Sequence, residues 1–285
     1  MTAGQSSSPT TNYTTQDLRN LALVGHASVG KTTLIEAVLH AGAAIGSPGS
    51  VEKKDTVADF LDEERQHGHS YAPSLVHFSK DGVEVNLIDT PGSADFFGQT
   101  ISVLPAVETV AVVVDAVNGV QPTTKRLLRV AKERNLCRMI IVNKIDAEGA
   151  DVARVMEALQ AVVGPECLPV TLPVANGQRV VDCFWHGAKA AGGESDLGSV
   201  EAAHTKIIEQ VVEVDEAVAT RYLEGETVDP ETLHNVFEEA LKAGHLVPVC
   251  FTAAKPHGGG EPVGVKELID VFVRLAPNPT EGNPR

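Results

Sequence analysis

The sequence lacks paired cysteines, long apolar runs and an excess of basic residues. Its four cysteines are far apart and form no CxxC motif, so we expect reduced, partly buried thiols. No stretch approaches the roughly 20 apolar residues that a membrane span needs. Acidic residues outnumber Lys and Arg by 38 to 23, and the net charge of −15 argues against direct binding to nucleic acid, DNA included. These absences together predict a cytoplasmic protein that stays out of membranes.

Both ends of the chain are polar. Residues 1–16 are rich in Ser, Thr, Gln and Pro and have neither the basic nor the apolar region of a signal peptide, so we expect a disordered leader. Residues 277–285 combine Pro, Gly and Asn and are expected to form a linker to further domains beyond this sequence. The remainder is typical of a packed globular protein, which we expect to be monomeric.

Short apolar runs alternate with longer helical patterns through much of the chain. The strand-like runs are residues 21–24, 83–88, 109–114 and 138–142, and helical patterns follow Gly30, Gln121 and Gly149. This alternation predicts a mostly parallel sheet flanked by helices. A weaker run at 74–78 precedes the second strand across Asp81-Gly82, which predicts a hairpin.

The pattern changes at about residue 166. A second hairpin is expected around Asn176-Gly177, followed by a loop through Gly192 and Gly193 and by helices over Ser199 to Leu223 and Pro230 to Ala243. The α/β pattern then resumes. We therefore predict one α/β domain over 17–165 and 246–276, with an α+β subdomain inserted over 166–245.

Residues 25–32, GHASVGKT, match the pattern GxxxxGK[ST] between a strand and a helix. Glycines let backbone N–H groups surround phosphate oxygens, Lys31 supplies a cation, and the Thr32 hydroxyl can ligate Mg²⁺. A chance glycine-rich turn is the alternative. The predicted phosphate-binding residues are Gly25, His26, Ala27, Ser28, Val29, Gly30, Lys31, Thr32 and Thr33.

Three further motifs, DTPG, NKID and TAAK, each follow a strand-like run. Asp89 can hold Mg²⁺, and the Gly92 N–H can meet a γ-phosphate. The Asp146 carboxylate can accept from both donors of a guanine edge. Each motif is weak alone, but open α/β sheets bind ligands at the edge where strands end. The ordered set therefore predicts a site for GTP or GDP with Mg²⁺, lined by Asp89, Gly92, Asn143, Lys144, Asp146, Thr252, Ala253 and Lys255.

With these motifs the chain resembles translational GTPases, and over roughly residues 17–280 it resembles elongation factor G. The resemblance rests on TVADF followed by DEER, VNLIDTPGSADF, RMIIVNKID, RYLEGE and VPVCFTAAK. It implies a Ras-like P-loop G domain carrying that family's insert, with Mg²⁺-dependent GTP hydrolysis coupled to the ribosome. In the family the insert contacts the ribosomal stalk protein. The acidic residues Asp59, Asp62, Glu63 and Glu64 are expected to form an exposed face of a mobile switch.

Two departures from the family concern hydrolysis. The family has a water-orienting histidine after DTPG, where this chain has Ser93. Its switch sequence Arg-Gly-Ile-Thr is here HGHS, so Ser70 stands where the family's Thr ligates Mg²⁺ and His69 replaces an apolar residue. Two hypotheses remain open: a GTPase, and a GTP-binding switch module with little or no hydrolysis. Both fit an accessory paralogue. The catalytic candidates are Ser93, His69 and Lys31, and the metal candidates are Thr32, Ser70 and Asp89.

Overall fold

The computed structural model describes residues 12–185, 193–224 and 230–282. Most of the leader expected over 1–16, the glycine-rich loop at Gly192, the last two residues of RYLEGE and the end of the expected linker lie outside these ranges. In the described ranges, no helix is long and apolar enough to cross a membrane.

A seven-stranded sheet forms the centre of the molecule. Its order is β2-β3-β1-β4-β5-β11-β6, and only β2 runs antiparallel to its neighbour. The strands are β1 (Leu18–Gly25), β2 (Ser74–Lys80), β3 (Val83–Asp89), β4 (Thr109–Asp115), β5 (Cys137–Asn143), β6 (Cys167–Pro169) and, beyond four short strands of the inserted segment, β11 (Val247–Thr252).

Helices cover both faces of this sheet. They are α1 (Lys31–Ala41), α2 (Asp62–His67), α3 (Phe97–Val103), α4 (Pro122–Glu133), α5 (Val152–Val163), α6 (Val200–Val212), α7 (Glu216–Leu223), α8 (Pro230–Ala243) and α9 (Val265–Leu275). Side chains alternate along β1, so that Leu21 and Leu23 join one apolar cluster while Ala22 and Val24 join the other. The first cluster includes residues of α1 and α9, and the second includes residues of α4 and α5. The predicted sheet flanked by helices is confirmed.

The hairpin predicted from Asp81-Gly82 is also confirmed. Strands β2 and β3 pair antiparallel, with Lys80 opposite Val83. Both turn residues have positive φ, 52° at Asp81 and 81° at Gly82. A two-residue turn of this kind needs left-handed backbone at both positions, which Asp and Gly tolerate better than most residues.

The inserted segment departs from the prediction in two places. The expected helix over Ser199 to Leu223 is wrong, because the chain forms α6 and α7 with a break between them. At this break the Asp215 carboxylate accepts hydrogen bonds from the N–H groups of Ala217 and Val218, which caps a new helix. In addition, β6 lies within the span assigned to the insert yet pairs with β11 in the central sheet. The exact bounds of the insert stay a prediction.

The hairpin expected around Asn176-Gly177 is present. Strands β7 (Thr171–Val174) and β8 (Arg179–Asp182) pair antiparallel, and β9 (Glu194–Ser195) pairs with β10 (Gly198–Ser199). The four cysteines are free and buried, as expected for reduced thiols. Burial raises the pKa of each thiol, which keeps it protonated and unreactive.

Candidate nucleotide-binding site

The four sequence motifs follow strands that are neighbours or next neighbours in the sheet. Strands β1, β3, β5 and β11 end at Gly25, Asp89, Asn143 and Thr252 respectively. Because these strands are parallel, their carboxyl ends meet at one edge of the sheet. Segments more than 200 residues apart in sequence therefore line one site.

The loop after β1 has the backbone conformation that its glycines allow. Gly30 has φ 90° and Ser28 has φ 64°, both left-handed. A Cβ on Gly30 would lie 2.7 Å from Asn143 Nδ2, so a larger residue here would push the base-binding motif away. Helix α1 begins at Lys31, directly after this turn. The result is a helix N-terminus that opens onto the site, which favours an anion.

Lys31 lies beneath this loop. Its ammonium group donates to the carbonyl oxygens of Gly25, at 3.0 Å, and His26, at 3.1 Å. Burial lowers the pKa of Lys31 to about 8, and the charge of Asp89 opposes that shift. A phosphate in the loop would stabilise the ammonium form further, because a buried charge needs a close counter-charge.

Thr32 and Asp89 form the predicted metal pair. The Thr32 hydroxyl donates to Asp89 Oδ2 at 2.8 Å. The second carboxylate oxygen, Oδ1, is buried and has no hydrogen-bond partner. Burial raises the pKa of Asp89 to about 6, against the attraction of Lys31. An unpartnered buried carboxylate oxygen beside a hydroxyl oxygen is a donor set that suits Mg²⁺, so the residues present fit this ion.

Ser70 has a different partner from the one expected. Its hydroxyl donates to Asp59 Oδ1 at 3.0 Å, and Thr56 donates to the other oxygen of the same carboxylate at 2.7 Å. In the described part of the chain, no hydrogen bond joins Ser70 to Thr32 or Asp89. Asp59 is close enough to Asp89 to contribute to its raised pKa. The metal role of Ser70 stays a prediction.

The expectation that all four acidic residues of this segment are exposed is wrong. Asp62 and Glu63 are exposed, but Asp59 and Glu64 are buried. Glu64 accepts hydrogen bonds from the backbone N–H groups of Leu61, Tyr71 and Ala72. Glu36 of α1 holds the same segment further upstream, accepting from the N–H groups of Gly49 and Val57. Buried carboxylates thus anchor residues 49–72, here called the switch segment.

The two candidates for orienting water lie elsewhere. Ser93 accepts a hydrogen bond from the Asp95 N–H at 3.3 Å and so caps the turn at Ala94–Phe96. His69 is exposed, and its ring lies edge-on to Tyr71 with centroids 5.4 Å apart. Neither side chain has a described hydrogen bond to the phosphate loop. Gly92 does approach that loop, since a Cβ there would lie 2.8 Å from the Ala27 nitrogen.

Asn143 connects the phosphate loop to the last motif. Its amide nitrogen donates to the Val29 carbonyl at 3.0 Å. Its amide oxygen accepts from the Thr252 hydroxyl and from the Ala254 N–H, both at 3.1 Å. Asn143 and Thr252 therefore hold each other in position at the site. Ala254 was missed, although it lies inside the TAAK motif that marks the segment.

Lys144 makes a second connection between motifs. With φ 63° its backbone is left-handed, and its ammonium group donates to the Ser28 carbonyl at 2.7 Å. It also forms an ion pair of 2.7 Å with Asp115; burial would raise the pKa of that carboxyl, but hydrogen bonds from Lys144 and the backbone lower it overall. Sequence reasoning overlooked Asp115. Its position as the last residue of β4, at the same sheet edge, was the available signal.

Asp146, the residue predicted to contact guanine, follows β5 at the same edge of the sheet. Its Oδ2 accepts from the His257 backbone N–H at 2.6 Å, while Oδ1 is buried without a hydrogen-bond partner. The His257 imidazole nitrogen Nδ1 is 3.9 Å from that oxygen. Lys255 nearby pairs with Glu52 of the switch segment at 2.8 Å and lowers the pKa of Glu52 to about 2.

A strand-to-helix loop with left-handed backbone at Gly30, a hydroxyl–carboxylate pair and a separate buried acceptor, all at one edge of a mostly parallel sheet, are consistent with a P-loop G domain. Comparison with known proteins agrees. Residues 16–278 match the model of the elongation factor Tu GTP binding domain family, and the chain belongs to that family of translational GTPases.

Two curated relatives are translation factors by name. The chain is 34% identical to an elongation factor G-like protein of Mycobacterium tuberculosis, covering 98% of this chain and 39% of that protein. It is 31% identical to peptide chain release factor 3 of Streptococcus pyogenes, covering 93% of this chain and 52% of that protein. The chain thus spans between about two fifths and one half of these relatives' lengths.

A solved structure shows a similar fold. The crystal structure of a Thermus thermophilus protein matches with a TM-score of 0.81 and 34% sequence identity, over 92% of this chain and 41% of that one.

Proposed function

We propose that this chain binds GTP and GDP with Mg²⁺ and hydrolyses GTP as part of an elongation-factor-G-type factor that acts on the ribosome. The observation that carries the proposal is a pair of orphaned acceptors. Within the described residues, the buried carboxylate oxygens without a hydrogen-bond partner are Asp89 Oδ1 and Asp146 Oδ1. Each belongs to a different motif of the same site, and each matches a different part of Mg²⁺·GTP.

The base end of the site favours guanine. Guanine carries two adjacent donors, and a carboxylate can accept from both, whereas adenine has no matching pair. Asp146 offers one free acceptor, and its second oxygen already accepts from the His257 N–H. A guanine edge would share or replace that donor. A site built around such a pair discriminates strongly, because the wrong base leaves buried polar groups unpaired.

The phosphate end supplies positive charge and orientation. Backbone N–H groups of the loop, the N-terminus of α1 and the Lys31 ammonium surround the phosphates. When bound, Mg²⁺ neutralises charge on the phosphate oxygens. Thr32 and Asp89 would hold that ion, and the Gly92 N–H would donate to the terminal phosphate; the close approach of Gly92 to the loop supports this role.

The proposed action on the ribosome is inferred from the named relatives. Both named relatives are translation factors, and the described helices and hairpin over the inserted segment give it a defined surface. We propose that this inserted segment contacts the ribosomal stalk protein, as the resemblance implies. A monomer working on ribosomes would act in the cytoplasm.

A second candidate is a GTP-binding switch with little or no hydrolysis. One observation favours it: the Ser93 side chain caps its own turn, and a serine is too short to reach a water beyond the γ-phosphate. In this case the chain acts by occupying its ribosomal site in a GTP-dependent manner. Both candidates require the same nucleotide chemistry and differ only in turnover.

Single-turnover hydrolysis of radiolabelled GTP, with and without ribosomes, separates the two candidates. A GTPase gives ribosome-stimulated phosphate release, whereas the switch gives saturable GTP binding with no release above background. Lys31→Ala serves as the control for contaminating GTPases, because it removes the closest cation from the phosphate site. Release that persists in Lys31→Ala would contradict hydrolysis at this site.

A further inference from the structure

Positive charge is concentrated in one short part of this acidic chain. Residues 122–138 hold six basic residues and one acidic residue, a net charge of +5 within a chain of net charge −15. The net charge of the whole sequence conceals this local excess of positive charge. The segment comprises α4, the turn after it and the start of β5.

Two of these six basic residues are exposed but make contacts with α3. The Arg126 guanidinium lies over the Phe97 ring, 3.8 Å from its centroid, and Arg134 donates to the Ile101 carbonyl at 3.3 Å. Both contacts hold α3 against α4. Arg126 also lines the cavity described next. The four basic residues that make no described contact with α3 are Lys125, Arg129, Lys132 and Arg138, and we call them the α4 basic pocket.

The α4 basic pocket is concave. Lys125, Arg129 and Lys132 are spaced four and three residues apart, which places them on one face of α4. Together with Arg138 they line a cavity of about 480 Å³ between α4 and the end of α5, with Leu128 and Val162 also in its wall. No Asp or Glu lines this cavity. An ordinary solvated helix face would instead spread its cations into open water.

Arg138 is the feature that a solvated face does not explain. Its side chain lies in the cavity wall yet is only 6% exposed. Burial lowers the pKa of Arg138, and its described hydrogen bond is a long one, 3.4 Å to the Gly244 carbonyl. A buried guanidinium that faces a cavity gains from an anion in that cavity.

Nearby carboxylates neutralise part of this charge. Glu133 lies 3.8 Å from Arg129, with both side chains more than 60% exposed, and such an exposed pair contributes little. Glu166 lies 4.0 Å from Lys132 and also attracts the charge of Arg138, so this one carboxylate is shared between two cations. Lys125 is exposed and has no ion pair within 4.0 Å in the described residues.

We propose that the α4 basic pocket binds the phosphate backbone of RNA. The inference rests on the proposed function, since the ribosome supplies the RNA. A row of cations along a helix matches an extended, repeating anion better than a single phosphate, and Arg and Lys are the usual phosphate contacts. The apolar wall exposes Val162, which can contact the flat face of an unpaired base.

The test measures the binding of a fluorescent RNA hairpin with a single-stranded loop, by fluorescence anisotropy at several salt concentrations. The test variant is Lys125→Glu with Lys132→Glu. The control is Lys206→Glu with Lys266→Glu, which changes the net charge equally at exposed positions outside the pocket. We expect the test variant to bind RNA at least about tenfold more weakly at low salt, and its salt dependence to fall by about 0.7–0.9 per lost phosphate contact.

The control should stay within about twofold of the wild type. If both variants weaken RNA binding equally, bulk electrostatics explains the binding and the proposal is overturned. If neither variant weakens RNA binding, the proposal is also overturned. Displacement of the RNA by polyglutamate at matched charge concentration would assign the pocket to an acidic protein instead.

Fluorescent GDP binding separates this inference from the proposed function. Unchanged GDP affinity in the test variant shows that it folds and that the nucleotide site is intact. Failure of nucleotide binding in the wild type would refute the proposed function. The RNA measurement would still be interpretable, because it needs no hydrolysis.

Discussion

Replacing Asp146 by Asn tests the base end of the site most directly. The structure fixes how the new amide would lie, because the His257 N–H donates to Oδ2 at 2.6 Å and requires an oxygen there. The amide NH₂ group would then occupy the position of Oδ1, the buried acceptor without a hydrogen-bond partner. A donor would thus face the two donors of guanine.

The expected loss follows from that geometry. A hydrogen bond to a charged group contributes about 1.5–3 kcal/mol, and a buried group left unpaired loses that contribution. Losing both guanine donors therefore costs about 3–6 kcal/mol, which is roughly a 10²- to 10⁴-fold weaker affinity for GTP. Xanthine has an oxygen in place of the 2-amino group, so it can accept from the new NH₂ group.

Competition against fluorescent GDP measures both effects. We expect Asp146→Asn to lose affinity for GTP and to bind xanthosine triphosphate more tightly than the wild type does. Asp151→Asn is the matched control, because Asp151 caps α5 by accepting from the Arg154 N–H and lies outside the base site. Undiminished GTP affinity in Asp146→Asn would refute the assignment of this residue.

Three further predictions concern the phosphate end of the site. Lys31→Ala should bind GTP and GDP more weakly by equilibrium titration, because the buried ammonium is the closest cation; wild-type affinity would place the phosphates elsewhere. The pKa of Asp89 is raised to about 6, so this carboxylate takes up a proton as the pH falls through that value. Mg²⁺ affinity should therefore drop about tenfold per pH unit below pH 6. Asp89→Asn should abolish this pH dependence. Ser93→His should raise ribosome-stimulated turnover by about 10²–10⁴, while His69→Ala should change it little. The reverse pattern would assign the orientation of the attacking water to His69. Ser93→Ala is the control for loss of the cap.

Local sequence was sufficient wherever backbone geometry restricts the choice of residue. The phosphate loop could be predicted because its left-handed turn at Gly30 needs glycine and its Lys31 must begin a helix. The hairpin at Asp81-Gly82 was predictable for the same reason. The strand ends that line the site also follow from sequence, because each motif comes directly after an apolar run.

Burial and partners were decided by tertiary structure. Asp59 and Glu64 lie in a run that reads as an exposed acidic face, yet both are buried, because Glu64 accepts three backbone N–H groups and Asp59 accepts two hydroxyls. The break between α6 and α7 depends on the Asp215 cap, which competed with a helical pattern that continues through it. The Asp215 cap is local, because its donors lie two and three residues ahead, and sequence analysis overlooked it. The hydrogen bonds to Asp59 and Glu64 from Ser70, Tyr71 and Ala72 span 11, 7 and 8 residues and form only in the folded chain.

The sequence by itself indicated the class of site and which residues to expect in contact with a nucleotide, since the motifs encode phosphate and base chemistry locally. Only the folded chain showed that Asp89 and Asp146 each keep one buried acceptor free, and that Lys144 pairs with Asp115. Only the fold, too, gathers five basic residues around one cavity in a chain of net charge −15. Composition sums charge over the whole chain, whereas binding depends on the few charges that share a surface.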